Sequence, residues 1–285
     1  MPELPEIEVL ARHLRPLIRG KTIRRVDVRR ATVVAPTSPR KFGKTLLGAT
    51  FVGISRRGKY LLFRLRPKQG GQPFVMLGHL GMAGRMFLAR NRAPLPKHAA
   101  VVLELDQGRF IYEDARYFGR LTLDSSAVAK LGPEPLGAEF DGETFAQMLK
   151  RSRQAIKVKL LDQTLVAGIG NIYASEALFR ANISPRLPAA RLDASQRKKL
   201  RWAIRVVLAE AIACGSTVPL NYGGGQKRDG LFYFGRSADA SDYYEERLRV
   251  YDREGQPCWN CRGPIKRIVQ AARSTFFCPN CQRAA

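Results

Sequence analysis

The chain has 285 residues, 45% of them hydrophobic, and 49 Lys and Arg against 24 Asp and Glu give it a formal net charge of +25. That length accommodates two domains, or two and a small appendage, and no apolar run reaches the roughly 18 residues that a membrane-spanning helix needs. Charge of this size is self-repelling unless a polyanion offsets it, which points to nucleic acid; a ribosome-associated role or plain solubility in a basic proteome are the bland alternatives.

The chain opens MPELPEIEVL, with Glu3, Glu6 and Glu8 where a secretory signal would be basic and then apolar. A cytoplasmic location, no membrane partner and reduced cysteines are therefore expected. Over residues 5–19, Ile7, Leu10, Ala11, Leu14, Leu17 and Ile18 form a helical stripe stopped by Gly20, and Pro16 is expected to kink or end the regular helix near Arg15. Short strands follow at 23–28, 49–54, 60–65, 73–77, 101–106, 109–114 and 120–124, with Asp106-Gln107-Gly108 as a hairpin turn. Such a series predicts a β-sandwich or barrel.

After LGPEPLG at 131–137, helical periodicity appears at 141–150, 155–163, 171–181 and 193–213, the last opened by an Asp193 cap and closed at Gly215. A Gly-rich loop with basic and aromatic residues covers about 216–240, and loops of that length are functional or disordered. Strands return from about 245 around the cysteines. The expected class is α+β, with an N-terminal β-sandwich domain and its helix at 1–130, a helical domain with the long loop at 131–244, and a zinc-ribbon finger at 245–285.

Four of the five cysteines carry the strongest local signal. Cys258-x2-Cys261 and Cys278-x2-Cys281 have the spacing of a two-knuckle ribbon, and four thiolates close a tetrahedral site around one structural Zn2+. Cys214 is left over and reads as a buried thiol. Lys266, Arg267 and Arg273 lie between the knuckles, where a rigid hairpin bearing cations suits phosphates. In GIGNIYASEALF at 168–179, two glycines lead into Asn171 and a helix whose first N–H groups form an anion site; the same pattern also makes an ordinary turn.

RRGKYLL at 56–62 puts Arg56, Arg57 and Lys59 at a strand start, either as a solvated turn or as a functional group. HLGMAGRM at 79–86 and YEDARYFG at 112–119 are glycine-broken strand ends carrying Met82, Arg116 and Phe118. They suit hairpin packing, or wedging into a base stack. If Met1 is trimmed, the chain starts at Pro2, a secondary amine. An α-amino group has a pKa near 8 and is partly neutral at pH 7, so it can attack a carbon at aldehyde oxidation level; the same stretch alone also serves to open a helix.

In order, MPELPE, RRGKYLL, HLGM, KH at 97–98, DARYFG, LGPEPL, AIK at 155–157, GIGNIYASE, VYDREGQPC and the four-cysteine finger resemble the formamidopyrimidine-DNA glycosylase family of bacterial base-excision repair enzymes. The similarity covers nearly the whole chain, and ELPE with HLGM resembles the branch acting on oxidised purines. It implies an N-terminal β-sandwich, a helix–two-turns–helix domain and a zinc finger. It also implies a monomeric glycosylase and abasic-site lyase that acts on duplex DNA holding a damaged base or abasic site, such as 8-oxoguanine or a formamidopyrimidine, in the nucleoid.

By that resemblance Pro2 is the nucleophile at C1′, Glu3 the acid that assists ring opening, and Lys59 and Arg273 act in β- and δ-elimination. Met82, Arg116 and Phe118 fill the gap left by the flipped base, His98 and Asn171 contact DNA, and Glu6 and Glu176 are supporting residues. The pattern departs in several places: Asp114-Ala115-Arg116-Tyr117-Phe118 replaces Asp-Pro-Arg-Arg-Phe, Ala99 replaces an acidic residue, and a basic DNA contact falls on Ser152, flanked by Arg151 and Arg153. The loop after Gly215 is longer than the family pattern, which leaves substrate preference open. Oxidised pyrimidines or other lesions, and a non-catalytic damaged-DNA binder, are the competing readings.

Overall fold

The computed structural model describes residues 2–215 and 247–283, so the long loop expected at 216–240 lies outside the described residues. Two compact units divide the chain: residues 6–129 with Pro2 in the first, and residues 3–5 with the described residues beyond 129 in the second.

The first unit has helix α1 (Leu4–Ile18), whose buried Ile7, Leu10, Leu14 and Ile18 follow the stripe read from the sequence. Its regular helix does not end near Arg15. Pro16 removes a single donor, and burial of Ile18 holds the last turn in place. One antiparallel sheet orders β1 (Ile23–Val28), β6 (Ala99–Leu105), β7 (Arg109–Glu113) and β5 (Arg85–Ala89) as β1-β6-β7-β5. The other orders β2 (Thr50–Arg57), β3 (Tyr60–Arg66), β4 (Phe74–His79) and β8 (Arg120–Thr122) as β2-β3-β4-β8.

Inward residues alternate along β3, where Leu61, Phe63 and Leu65 are buried. They meet Phe51 and Phe110, with the Phe63 and Phe110 rings 5.3 Å apart, in one core shared by both sheets. This is the β-sandwich expected. The Asp106–Gly108 turn also forms, closed by Leu105 N–H on Gly108 O at 2.9 Å. Short helices α2 (Pro39–Leu46), capped by Ser38, and α3 (Ser126–Ala129) complete the unit.

The second unit contains α4 (Gly142–Lys150), α5 (Ile156–Leu160), α6 (Asn171–Arg180) and α7 (Ala194–Ala213), with α4 and α6 packed on α7. Helix α5 is shorter than the periodicity predicts. The Asp162 carboxylate accepts Thr164 N–H at 2.9 Å and pairs with Lys159, forming a turn that competes with further helix. Asp193 and Gln196 form a reciprocal capping box at the start of α7.

Beyond residue 247 the hairpin of β9 (Lys266–Gln270) and β10 (Arg273–Phe277) builds the finger. Phe179 of α6 enters the finger core with Val250, Ile265 and Phe276. Glu176, one turn earlier, is buried and accepts the backbone N–H groups of Arg249, Val250 and Tyr251 at 2.8–2.9 Å. The segment leading into the finger is thereby tied to α6.

Candidate functional site

In the second unit the start of α6 is the organising feature. A helix N-terminus carries unpaired N–H groups and partial positive charge. Here the anion they hold belongs to the chain itself. Glu3 Oε2 accepts Gly170 N–H at 2.7 Å and Tyr173 N–H at 3.4 Å, while Oε1 accepts Ile172 N–H at 3.0 Å. Leu4 N–H adds a bond to Gly168 O at 3.0 Å. The anion site read into GIGN is real, but Glu3 fills it instead of leaving it open to a phosphate. Pro2, one peptide bond before Glu3, is also buried.

Asn171 does not use its side chain to cap α6. Its Nδ2 donates to Ser274 O at 2.8 Å, and its Oδ1 accepts from Lys157 Nζ. Lys157 also lies 3.5 Å from Ser274 O and is completely buried. Burial pushes its ammonium down to about 8, Arg273 adds repulsion and Glu3 partly offsets both. Asn171, Lys157, Arg273 and the Glu3 carboxylate are therefore one cluster. Lys157 ends the AIK segment that carries the resemblance, but nothing in the sequence shows that it is buried beside Asn171 and Arg273. Arg153 is exposed just before α5, and Arg273 is exposed at the start of β10.

In the first unit, the turn after β4 meets the loop before β8. A Cβ on Gly81 would fall 2.6 Å from Gly119 N, and one on Gly119 would fall 2.4 Å from His79 O. Backbones this close require glycine at both positions. Two polar side chains hold the pair. His79 Nδ1 accepts Gly81 N–H at 3.1 Å, and burial with nearby Lys59 and Arg120 pushes its pKa down to about 4.

Buried Asp114 accepts Arg116 N–H at 3.0 Å, Gly119 N–H at 2.8 Å and the Tyr112 hydroxyl at 3.1 Å. Neither role was read from the sequence, although both residues lie inside quoted motifs. What the frame presents is Met82 at 48% exposure, Phe118 at 58%, and Arg116 stacked 5.1 Å over the Phe118 ring. Two large apolar groups presented by one frame are suited to meeting a partner. His98 is half-buried, and its carbonyl accepts Asp114 N–H at 3.1 Å. Lys59 and Glu6 are both buried.

The four finger cysteines bring their Sγ atoms within 4.8 Å of one another, with Cys258–Cys281 at 3.9 Å and Cys261–Cys278 at 3.4 Å. Four sulfurs each about 2.3 Å from one zinc stand about 3.8 Å apart. The donor set therefore fits one tetrahedral ion with no open position. Cys214 is half-buried and not part of the cluster.

Comparison with known proteins follows the same division. Residues 1–121 match the formamidopyrimidine-DNA glycosylase N-terminal domain, residues 131–220 the H2TH domain of the same enzymes, and residues 255–284 a zinc finger found in FPG and IleRS. A formamidopyrimidine-DNA glycosylase of Phenylobacterium zucineum is 42% identical over 99% of this chain and 100% of its own. That of Symbiobacterium thermophilum is 40% identical over 99% and 89%. Among solved structures, the LlFpg protein in complex with THF-DNA and an inhibitor superposes with a TM-score of 0.87 at 35% identity, covering 99% of this chain and all of that one. MutM in complex with DNA containing carbocyclic 8-oxo-G gives 0.85 at 35% identity, with the same coverage.

Proposed function

Because the chain belongs to the formamidopyrimidine-DNA glycosylase family, we propose that its N-terminal Pro2-Glu3 pair carries the chemistry of a base-excision repair enzyme. The protein is a DNA glycosylase and abasic-site lyase for oxidised purines, working as a monomer on damaged duplex DNA with one structural zinc on Cys258, Cys261, Cys278 and Cys281. That zinc fixes the knuckles that carry the β9–β10 hairpin and supplies no reaction step.

The reaction begins once Met1 is removed. The neutral Pro2 amine attacks C1′ of the extruded nucleotide, and the glycosidic bond breaks with its electron pair leaving on the base. The sugar ring opens to an iminium as O4′ takes up a proton. Loss of a C2′ proton then expels the 3′ phosphate, and a second elimination expels the 5′ phosphate. Glu3 is the group that moves protons at the sugar, and its grip on the α6 N-terminus fixes where it does so. Glu6 supports it. Lys59 and Arg273 serve the eliminations by holding phosphates, with Asn171 and Lys157 bracing Arg273 through Ser274.

Met82, Arg116 and Phe118 fill the stack where the base has left, offsetting the few kcal/mol of unstacking. His98 and Arg153 contact the backbone, and Glu176 anchors the finger to α6. We divide these roles among domains at 1–130, 131–244 and 245–285. Among the described residues no helix is long and apolar enough to cross a membrane, and we place the enzyme with the nucleoid in the cytoplasm.

The observation that carries this reading is the Glu3 carboxylate, held by three backbone N–H groups one bond from Pro2. Sodium borohydride trapping on an abasic or 8-oxoguanine duplex tests it. Wild type with Met1 removed should give a covalent adduct, and an N-terminally extended form should give none. No adduct from the correctly trimmed protein on any lesion would leave only a damaged-DNA binder. A relative has been solved with an oxidised pyrimidine in its DNA, so the panel includes oxidised pyrimidines; faster excision of those would change the substrate class and not the chemistry.

A further inference from the structure

The chain has two tryptophans, and both are exposed in the second unit, Trp202 at 56% and Trp259 at 40%. An indole normally brings a large area to a core, so exposing both needs a reason. Each is stacked by arginine. The Arg180 guanidinium lies 5.7 Å from the centre of the Trp202 ring, and those of Arg249 and Arg253 lie 4.4 and 4.7 Å from the centre of Trp259.

Arg180, Arg247 and Arg249 line one cavity of about 420 Å³, together with Phe179, Glu210 and the finger-anchoring Glu176. It sits at the C-terminal end of α6, about 14 Å along that helix from Asn171. No residue assigned to catalysis or DNA contact lines it.

The arginines differ in what they have left to offer. Arg253 is a brace: its three nitrogens donate to Gln256 Oε1, Arg249 O and Pro257 O at 2.7–3.0 Å. Arg180 pairs with Glu210 at 2.6 Å across the cavity wall. The Arg249 guanidinium stacks on Trp259 and faces Glu176, but that carboxylate is already held by three backbone N–H groups, so Arg249 has an N–H edge to offer a carboxylate from outside. Exposed indole beside Arg249 makes a site both cationic and apolar, the residue types enriched where proteins bind one another.

We infer that this cavity docks an acidic peptide segment bearing one bulky apolar side chain, presented by a partner protein. Carboxylates would meet Arg249, and the apolar side chain would enter beside Trp259. A nucleic acid strand fits less well. Two guanidinium groups already lie over the Trp259 ring where a base would stack.

Each tryptophan stacks with an arginine that lines the cavity, so intrinsic fluorescence reads it. The full chain is titrated, at about 150 mM salt, with a synthetic peptide of aspartates around one phenylalanine. Controls are the same peptide with serine for phenylalanine, and oligothymidylate of equal charge. The phenylalanine peptide should give a saturable change that is at least about tenfold weaker with the serine peptide and in Arg249→Ala.

A Trp202→Phe variant should still respond through Trp259. Far-UV circular dichroism and borohydride trapping of Arg249→Ala should match wild type, separating lost docking from lost fold. Equal affinity for the two peptides means charge alone and overturns the inference. So does an oligothymidylate response that is lost in Arg249→Ala, which makes the occupant a strand, and so does silence from a folded protein. The inference stands apart from the enzymatic reading, because trapping and peptide binding fail independently.

Discussion

Gly170 shows how a single residue position holds the Glu3 carboxylate in place. Its φ of −132° is one any residue adopts, yet a Cβ there would lie 2.3 Å from the Glu3 carboxylate carbon. The glycine is required by space. Gly170→Ala should push Glu3 off the α6 N-terminus, destabilise by about 1–3 kcal/mol through overpacking and slow excision by about 100-fold through misplacement. Single-turnover kinetics on an 8-oxoguanine duplex measures the rate, and unchanged kinetics would detach Glu3 from the chemistry. His79 gives a pH prediction. Its pKa falls from an ordinary 6.5 to about 4 in the fold, so between those values the unfolded chain binds the proton first. The stability this contributes is complete above about 6.5 and is lost as pH falls through about 4, up to about 3 kcal/mol. His79→Asn keeps an acceptor for Gly81 N–H without titrating, so its melting temperature should fall less than that of wild type between those pH values. Sequence placed Glu3 at a chain end and glycines at 168 and 170, but not that one exists to receive the other. Lys157 and Asp114 lie in quoted motifs, but their roles were not legible, since a buried ammonium and a buried carboxylate read as surface charges until the fold encloses them.

At the scale of elements, the hairpin between β9 and β10 is built under strain. Its turn is Ala271-Ala272, both with positive φ, 47° and 58°. Type I′ turns need that sign at both central residues, and Asn-Gly supplies it without a Cβ clash. Each alanine held there costs about 1–2 kcal/mol. Ala272→Gly should therefore stabilise the finger, read as a higher chelator concentration for half-release of zinc, because metal binding and folding are coupled. Arg273 follows this turn directly and keeps its pairing with Gln270, so the same variant should leave the ratio of β- to δ-elimination products on a gel unchanged, whereas Arg273→Gln should let the β-product accumulate; unaltered products from Arg273→Gln would remove it from that step. Elements themselves were largely legible: alternation gave most strands, and the Asp193 cap gave α7. The misses have local causes. Strand β5 (RMFLA) is buried for nearly its whole length, so it lacks alternation. Pro16 was overruled by burial of Ile18, and α5 was cut short by the Asp162 turn.

At the scale of the whole molecule, +25 is a statement about salt. A protein that neutralises Z phosphates loses affinity with a slope of about −0.9Z in log K against log salt. The residues assigned to DNA fall into two classes under that relation. Arg153 and Arg273 are exposed cations, whereas Met82 and Phe118 are exposed apolar groups on the Gly81–Gly119 frame. Arg153→Gln should lower the slope by about 1 and weaken binding to damaged and undamaged duplex equally. Phe118→Ala should leave the slope unchanged and reduce the preference for an abasic or lesion duplex by about tenfold, because the wedge acts only where a base has left the stack. Fluorescence anisotropy of both duplexes across a salt series measures both quantities. A change of slope in Phe118→Ala, or a change of preference without a change of slope in Arg153→Gln, would reverse the assignment. On the proposed roles, charge brings the enzyme to any duplex, and the glycine-built frame, which charge and composition alone could not reveal, decides where it stops.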